Sequence, residues 1–473
     1  MDTLSTLDAE FLHLEDGTAH MHIAGACVFA GTAPTGEELS RLIEGKMHRI
    51  PRYRQRVRSV PFELGRPIWA DDPHFDLGYH VRRTALAAPG DDAAFCTLMG
   101  RLMSQELDRD RPLWETWLVE GLEGGRWALI FKVHHCLVDG VAGVGLLEVL
   151  LDLDPVTDTP APVPWEPAPE PNGAVKVLDA WAGLARDVAT TARGLPGAVR
   201  NPVSAAQAAV TTARGLARWV GHLGATSPLS VEGTIGPHRS WAHAEVPLSE
   251  VKAVGKAFGA TVNDVVRAAV TSGYRELLLQ RGDDVDAAVL RSLVPVSTRR
   301  EDGQGVLDNR VSAMLYELPV GVADPVERLR LVQQQIGALK GSRMAEAGAL
   351  LTEIGDLAPP AAIGTVSRFV SRAVRRLPQR SINTVTTNVP GPQFPLYCLG
   401  REMAEYRPFV PIFHGVRVGT AILSYNGTLS FGVTGDFATA RRVDVVADGA
   451  VRAVHELRKR VRRRRGTPRS TGR

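Results

Sequence analysis

The chain has 473 residues, too many for one ordinary domain and enough for two that each bury a core. Its 44% hydrophobic and 23% charged residues exclude a disordered chain, and a net charge of +3 is too small to point to a nucleic-acid partner. No run reaches the roughly 18 uncharged apolar residues of a membrane span, and the acidic start Met1-Asp2-Thr3-Leu4 lacks the basic and apolar parts of a signal peptide. Cys27, Cys96, Cys136 and Cys398 are scattered without the paired spacing of a zinc site or disulfide framework. The expectation is a cytoplasmic chain without a metal.

From the start to residue 152, strand-like and helix-like patterns alternate. Trp127 to His134 reads as a half-buried strand, and Val141 to Leu151 as a mostly buried helix. Between them lies His134-His135-Cys136-Leu137-Val138-Asp139-Gly140, on a strand-to-helix turn where functional groups tend to be presented. Residues 153–173 are proline-rich and poor in apolar side chains, as a linker is.

Residues 175–222 then carry two helical stripes, Val177, Trp181, Leu184 and Val188, followed by Val210, Ala213, Ala217 and Val220, interspersed with arginines. A third such segment runs from Val366 to Arg380. Basic amphipathic helices of this kind lie in a membrane or lipid-droplet interface, or pack on the protein with their arginines in water.

The second folded unit spans 241–457. Thr261-Val262-Asn263-Asp264 reads as a capped helix start, and Tyr425-Asn426-Gly427-Thr428 as a hairpin turn between alternating strands. Arg458 to Arg465 concentrates positive charge in a tail, 458–473, which holds anionic lipid headgroups or nucleic acid, or is a solvated end. The expected division is therefore 1–152, a linker and amphipathic region 153–240, 241–457, and the tail.

The histidine pair is the chemical centre. A hydroxyl is a weak nucleophile at neutral pH, and a neutral imidazole is suited to take its proton as it attacks. If His135 points into the site, His134 alternates to the other face and holds the turn. Asp139 reads as a third member of a triad or, preferably, as a structural residue that caps the helix or pairs with Arg299 or Arg300. Gly140 permits a tight turn. No Gly-x-Ser-x-Gly elbow asks for a serine nucleophile.

These residues, together with Leu7-Asp8-Ala9-Glu10-Phe11-Leu12, Pro112-Leu113-Trp114, Asn263-Asp264, Pro295-Val296-Ser297-Thr298-Arg299, Asn388-Val389-Pro390-Gly391-Pro392 and Ser424-Tyr425-Asn426-Gly427, resemble the bacterial wax ester synthase and acyl-CoA:diacylglycerol acyltransferase family along nearly the whole chain. The resemblance implies an α/β fold of two chloramphenicol-acetyltransferase-like subdomains, mixed sheets with flanking helices, around a central tunnel. It implies His135 as general base, His134 as its support, a mainly structural Asp139, and Asn263 and Asp264 as residues that shape the site, although a helix cap explains that pair as well. Acyl-CoA would be the co-substrate, with no other cofactor, and diacylglycerol or a long-chain alcohol the acceptor. Peripheral contact with the inner membrane or lipid droplets follows from so apolar an acceptor. The related readings are an acyltransferase that takes a carrier-protein thioester, as condensation domains do, and a non-catalytic lipid-binding protein.

Overall fold

The computed structural model describes residues 2–61, 65–137, 147, 149–156, 159–179, 181–183, 227–297, 311–340 and 382–466. Asp139, Gly140, Arg299, Arg300 and the amphipathic segments from residue 184 to 222 and from 366 to 380 lie outside them.

The first half contributes α1 (Thr6–Leu14), β1 (His22–Phe29), α2 (Gly36–Lys46), β2 (Gln55–Arg58), β3 (Ile68–Asp71), α3 (Leu77–His80), β4 (Val81–Ala85), α4 (Asp92–Met103), β5 (Trp114–Leu122) and β6 (Arg126–His134). The second contributes β7 (Arg239–Pro247), α5 (Leu248–Phe258), α6 (Val262–Gln280), β8 (Leu290–Ser297), β9 (Val311–Leu318), α7 (Pro325–Lys340), β10 (Thr384–Pro390), β11 (Tyr397–Cys398), β12 (Arg401–Phe409), β13 (Val418–Tyr425), β14 (Thr428–Asp436) and α8 (Asp444–Gly466).

Two six-stranded sheets carry the fold, in the orders β11-β12-β1-β6-β5-β4 and β7-β14-β13-β10-β8-β9. Both are mixed: β4 and β5 run parallel in the first, as do β8, β10 and β13 in the second, and the remaining pairs are antiparallel. The two-unit α/β expectation holds, with one departure. Residues assigned to the second unit, 397–409, leave it and complete the first sheet, where β12 pairs with β1 from Ala24↔Phe409 to Phe29↔Met403. The two sheets therefore share chain, and Gly432 of β14 lets the Pro408 carbonyl of β12 come close where a Cβ would leave no room.

β6 is buried from Trp127 to His134, not half-buried as its sequence reads. One face meets Phe95, Leu98, Met99 and Leu102 of α4, while the other meets Leu39, Leu42 and Ile43 of α2 and Leu147, Leu150 and Leu151. Helices on both faces turn a strand of alternating-looking pattern into a fully enclosed one.

Two local readings hold in detail. Thr261 and Asp264 form a reciprocal capping box, with Thr261 N–H donating to Asp264 at 2.9 Å and Asp264 N–H to Thr261 Oγ1 at 3.2 Å. Asn426 and Gly427 both take positive φ, 41° and 84°, as the type I′ turn between β13 and β14 demands.

The C-terminal reading needs correction. Residues 458–466 continue α8 rather than forming a tail, because Ala450, Ala453, Val454, Leu457 and Val461 recur at helical spacing and are buried. Arg458 pairs with Glu250 of α5. The proline-rich linker also does more than span: Arg54 stacks over Trp165 at 5.0 Å, and Ala168 N–H donates to Asp71 at 2.9 Å.

Candidate active site

β6 ends at His134, and the chain turns over residues 135–137. Each backbone N–H of this turn is accounted for. His134 N–H donates to the Leu113 carbonyl at 2.9 Å, His135 N–H to Met21 O at 2.8 Å, Cys136 N–H to His134 Nδ1 at 3.1 Å, and Leu137 N–H to His134 O at 3.0 Å. A turn with its donors spoken for holds one shape.

The two histidines face opposite ways. His134 is fully buried on the α4 side of the sheet, opposite His22 in the register and beside Lys132. His135 is half-buried and lies flat against Phe11 of α1, ring centroids 4.0 Å apart. The N-terminal motif Leu7 to Leu12 thus reaches the histidine turn through Phe11, and the Pro-Leu-Trp motif reaches it through the Leu113 carbonyl. Trp114 itself is anchored by its indole N–H to Tyr53 O at 2.9 Å.

Sequence reasoning did not single out Glu15, the residue that closes α1. Its side chain is 6% exposed, and Oε2 lies 3.2 Å from His134 Nε2 and 2.7 Å from Arg109 Nη2, while Oε1 accepts the Met21 N–H at 3.3 Å. Burial opposes ionisation of this carboxyl, but the His134 ring N–H and the Arg109 guanidinium beside it overcome that and hold the pKa down at about 2. The carboxylate touches both sides of the turn: His134 directly, and His135 through Met21. Nothing in the local sequence signals it, because its partners lie 94 and 119 residues away by number.

The second half brings two more motifs together. Asn388 Nδ2 of β10 donates to Asn263 Oδ1 at 2.6 Å. Asp264, by contrast, is committed to the capping box, which is the structural reading of that residue. Beyond β10, Gly391 N–H bonds Ser424 O at 3.0 Å and Asn426 N–H bonds Pro392 O at 3.0 Å, with Gln393 tied to Ser424 Oγ and Gly427 N–H. The Asn-Val-Pro-Gly-Pro and Ser-Tyr-Asn-Gly segments are one folded corner.

Among solved structures this architecture is similar to the wax ester synthase/diacylglycerol acyltransferase of Marinobacter aquaeolei VT8, with a TM-score of 0.66 and 24% identity over 97% of this chain and 99% of that one. It is also similar to the first condensation domain of the CDA synthetase, with a TM-score of 0.59 and 17% identity over 97% and 96%. The fold is thus that of the two-domain, condensation-domain-like acyltransferases.

Within that class the sequence is more specific. The wax ester synthase/diacylglycerol acyltransferase catalytic domain matches residues 4–266, and the C-terminal domain of the same family matches 307–458. A probable diacylglycerol O-acyltransferase of Mycobacterium tuberculosis (strain H37Rv) is 37% identical over 98% of this chain and 99% of its own length, and a second, putative one from that strain is 34% identical over 97% and 91%. The chain belongs to the wax ester synthase/diacylglycerol acyltransferase family and is an enzyme.

Proposed function

We propose that the protein transfers a long-chain acyl group from acyl-CoA to diacylglycerol, and also to long-chain alcohols, with His135 as the general base. The observation that carries this is the placing of His135 at the end of a central strand, its backbone fixed by Met21 and its ring seated on Phe11. His135 takes the hydroxyl proton as oxygen attacks the thioester carbonyl. The tetrahedral oxyanion then collapses, the carbon–sulfur bond breaks, and the CoA thiolate leaves with the proton returned from the imidazolium. His134 supports the turn. Asp139 and Gly140 are the structural members of the same motif, and Asn263, hydrogen-bonded to Asn388, shapes the site.

The acceptor is embedded in lipid, so the enzyme works against a membrane or droplet surface. Among the described residues no helix is long and apolar enough to cross a membrane. On the helical residues 173–179 and 181–183, Val175, Leu178 and Trp181 are 45%, 69% and 57% exposed at three-residue spacing, which supports a face that lies in the interface.

The deciding experiment measures CoA release from palmitoyl-CoA with diacylglycerol or hexadecanol, beside His135→Ala. Release that needs an acceptor and vanishes with His135 supports the proposal. Release only from a carrier-protein thioester moves the donor to that class, and equal release by His135→Ala removes His135 as the base. Sedimentation with anionic vesicles, with and without Leu178→Glu and Trp181→Glu, tests the membrane face.

A further inference from the structure

A neutral imidazole carries one ring proton, and its neighbours decide which nitrogen holds it. Fully buried His134 has such neighbours on both nitrogens. The Cys136 N–H, which can only donate, lies 3.1 Å from Nδ1, so Nδ1 must be the bare, accepting nitrogen. The proton then sits on Nε2, and Glu15 Oε2 stands 3.2 Å away, an ion-pair contact off the line of a well-aligned hydrogen bond. A carboxylate can only accept, so the two constraints agree.

Glu15 is in turn fixed. Arg109 donates to Oε2 from Nη2 at 2.7 Å and from Nε at 3.2 Å, and Arg109 Nη2 also meets the Leu12 carbonyl at 3.0 Å. The other carboxylate oxygen takes the Met21 N–H, and the Met21 carbonyl takes the His135 N–H. One side chain therefore reaches the turn by two routes, through the ring of His134 to Cys136 and through Met21 to His135.

We infer that Glu15 is a positioning residue for acyl transfer: its carboxylate selects the Nε2–H form of His134, which frees Nδ1 to hold the Cys136 N–H and so sets the turn that presents His135. With an apolar side chain at position 15, no other acceptor for the Nε2 proton stands among the described residues. The His134 ring is then free to exchange tautomers, and in the wrong one its Nδ1–H faces the Cys136 N–H, two donors opposed. The turn must shift, and displacement of a base by a fraction of an ångström to an ångström costs on the order of 100-fold in rate. The inference rests on His135 acting as the base.

The test compares Glu15→Leu and Glu15→Gln with the parent enzyme. Nitrogen-15 NMR of histidine-labelled protein reports which His134 nitrogen is protonated, and steady-state kinetics with palmitoyl-CoA gives kcat and KM. In the parent protein the proton is expected on Nε2. Glu15→Leu should lose that fixed proton and about 100-fold in kcat while KM stays within about twofold. Glu15→Gln, which keeps one oxygen for Nε2–H, should retain the proton and stay within about tenfold of the parent kcat. If Glu15→Leu does not fold, Glu15→Gln decides alone: its proton and its activity must be kept or lost together. Activity that is independent of where the proton sits overturns the inference, as does a parent protein with the proton on Nδ1. His135→Ala, assayed alongside, separates the two readings. An active His135→Ala defeats the base itself, whereas an inactive one beside a fully active Glu15→Leu defeats the role of Glu15 alone.

Discussion

Asn388 and Asn263, 125 residues apart, are joined by a 2.6 Å hydrogen bond that ties the end of β10 to the first turn of α6. The bond is exposed, so it contributes little to folding; its significance is that it fixes two amide side chains relative to one another. Asn388→Ala should therefore cost under about 1 kcal/mol in urea denaturation. If the pair lines the acceptor side, the same variant lowers kcat/KM for diacylglycerol by about tenfold, a loss measurable at low acceptor concentration. Asp264→Ala should do the reverse, costing roughly 1 kcal/mol of stability through the lost capping box.

Phe11 supports His135 by its face rather than by a hydrogen bond. Phe11→Ala removes a stacked contact worth about 0.5 to 1.5 kcal/mol beyond its buried area and gives the imidazole new rotamers. The expected result is a fall in kcat that Phe11→Tyr, which keeps the ring, largely restores. Equal activity of the Ala and Tyr variants would show that the stacking is incidental.

The pH dependence of stability carries a signature of Glu15. Its pKa is lowered from 4.5 in the unfolded chain to about 2 in the fold, so it stabilises the protein above pH 4.5, and that contribution is lost as pH falls from 4.5 toward 2. The full effect is of order 3 kcal/mol. The stability difference between the parent and Glu15→Gln, measured by denaturant titration at about pH 6 and again at about pH 3, should shrink at the lower pH. A constant difference would mean that the carboxylate charge is not what matters.

Lys46 is buried with its Nζ 2.6 Å from Asp152 Oδ1 and 3.0 Å from the Leu150 carbonyl, just after the helical residues 149 and 150. Lys46→Met leaves both acceptors without this donor and should cost about 1 to 3 kcal/mol. Lys46→Met with Asp152→Asn should recover part of that loss, and full additivity in the double-mutant cycle would rule out the coupling.

Close approach of backbone and ring makes a steric prediction at β1. A Cβ at Gly25 would lie 1.8 Å from the Tyr406 hydroxyl oxygen on β12. Gly25→Ala should destabilise by about 1 to 3 kcal/mol, and Tyr406→Ala in the same chain should relieve most of it. Thermal denaturation of the single and double variants measures both.

The sequence was most legible where chemistry is local. Asn426-Gly427 could be read because two consecutive positive φ angles are cheap only for such residues, and Thr261 because a cap satisfies N–H groups within its own turn. The histidine pair was legible by its spacing. Glu15 was not, because a carboxylate after a helix looks like any surface acid until Arg109 and His134 are brought to it by β5 and β6. The α8 extension was obscured by its arginines, whose charge masks the apolar stripe through Val461. The Trp165 contact with Arg54 was hidden for the opposite reason, since a proline-rich run signals only that no regular element forms, not where the chain lies.

The crossing of β11 and β12 into the first sheet has a consequence for how the protein is made. β1, which holds the strand carrying the histidines, gains its second neighbour only from residues 401–409, long after its own synthesis. During translation the histidine-bearing strand waits with one flank of its sheet open, exposed to chaperones or to mispairing, until the ribosome has passed the linker and most of the second half. Two polypeptides cut at the linker would therefore not be two independent domains but two halves of one closure, each lacking what the other brings.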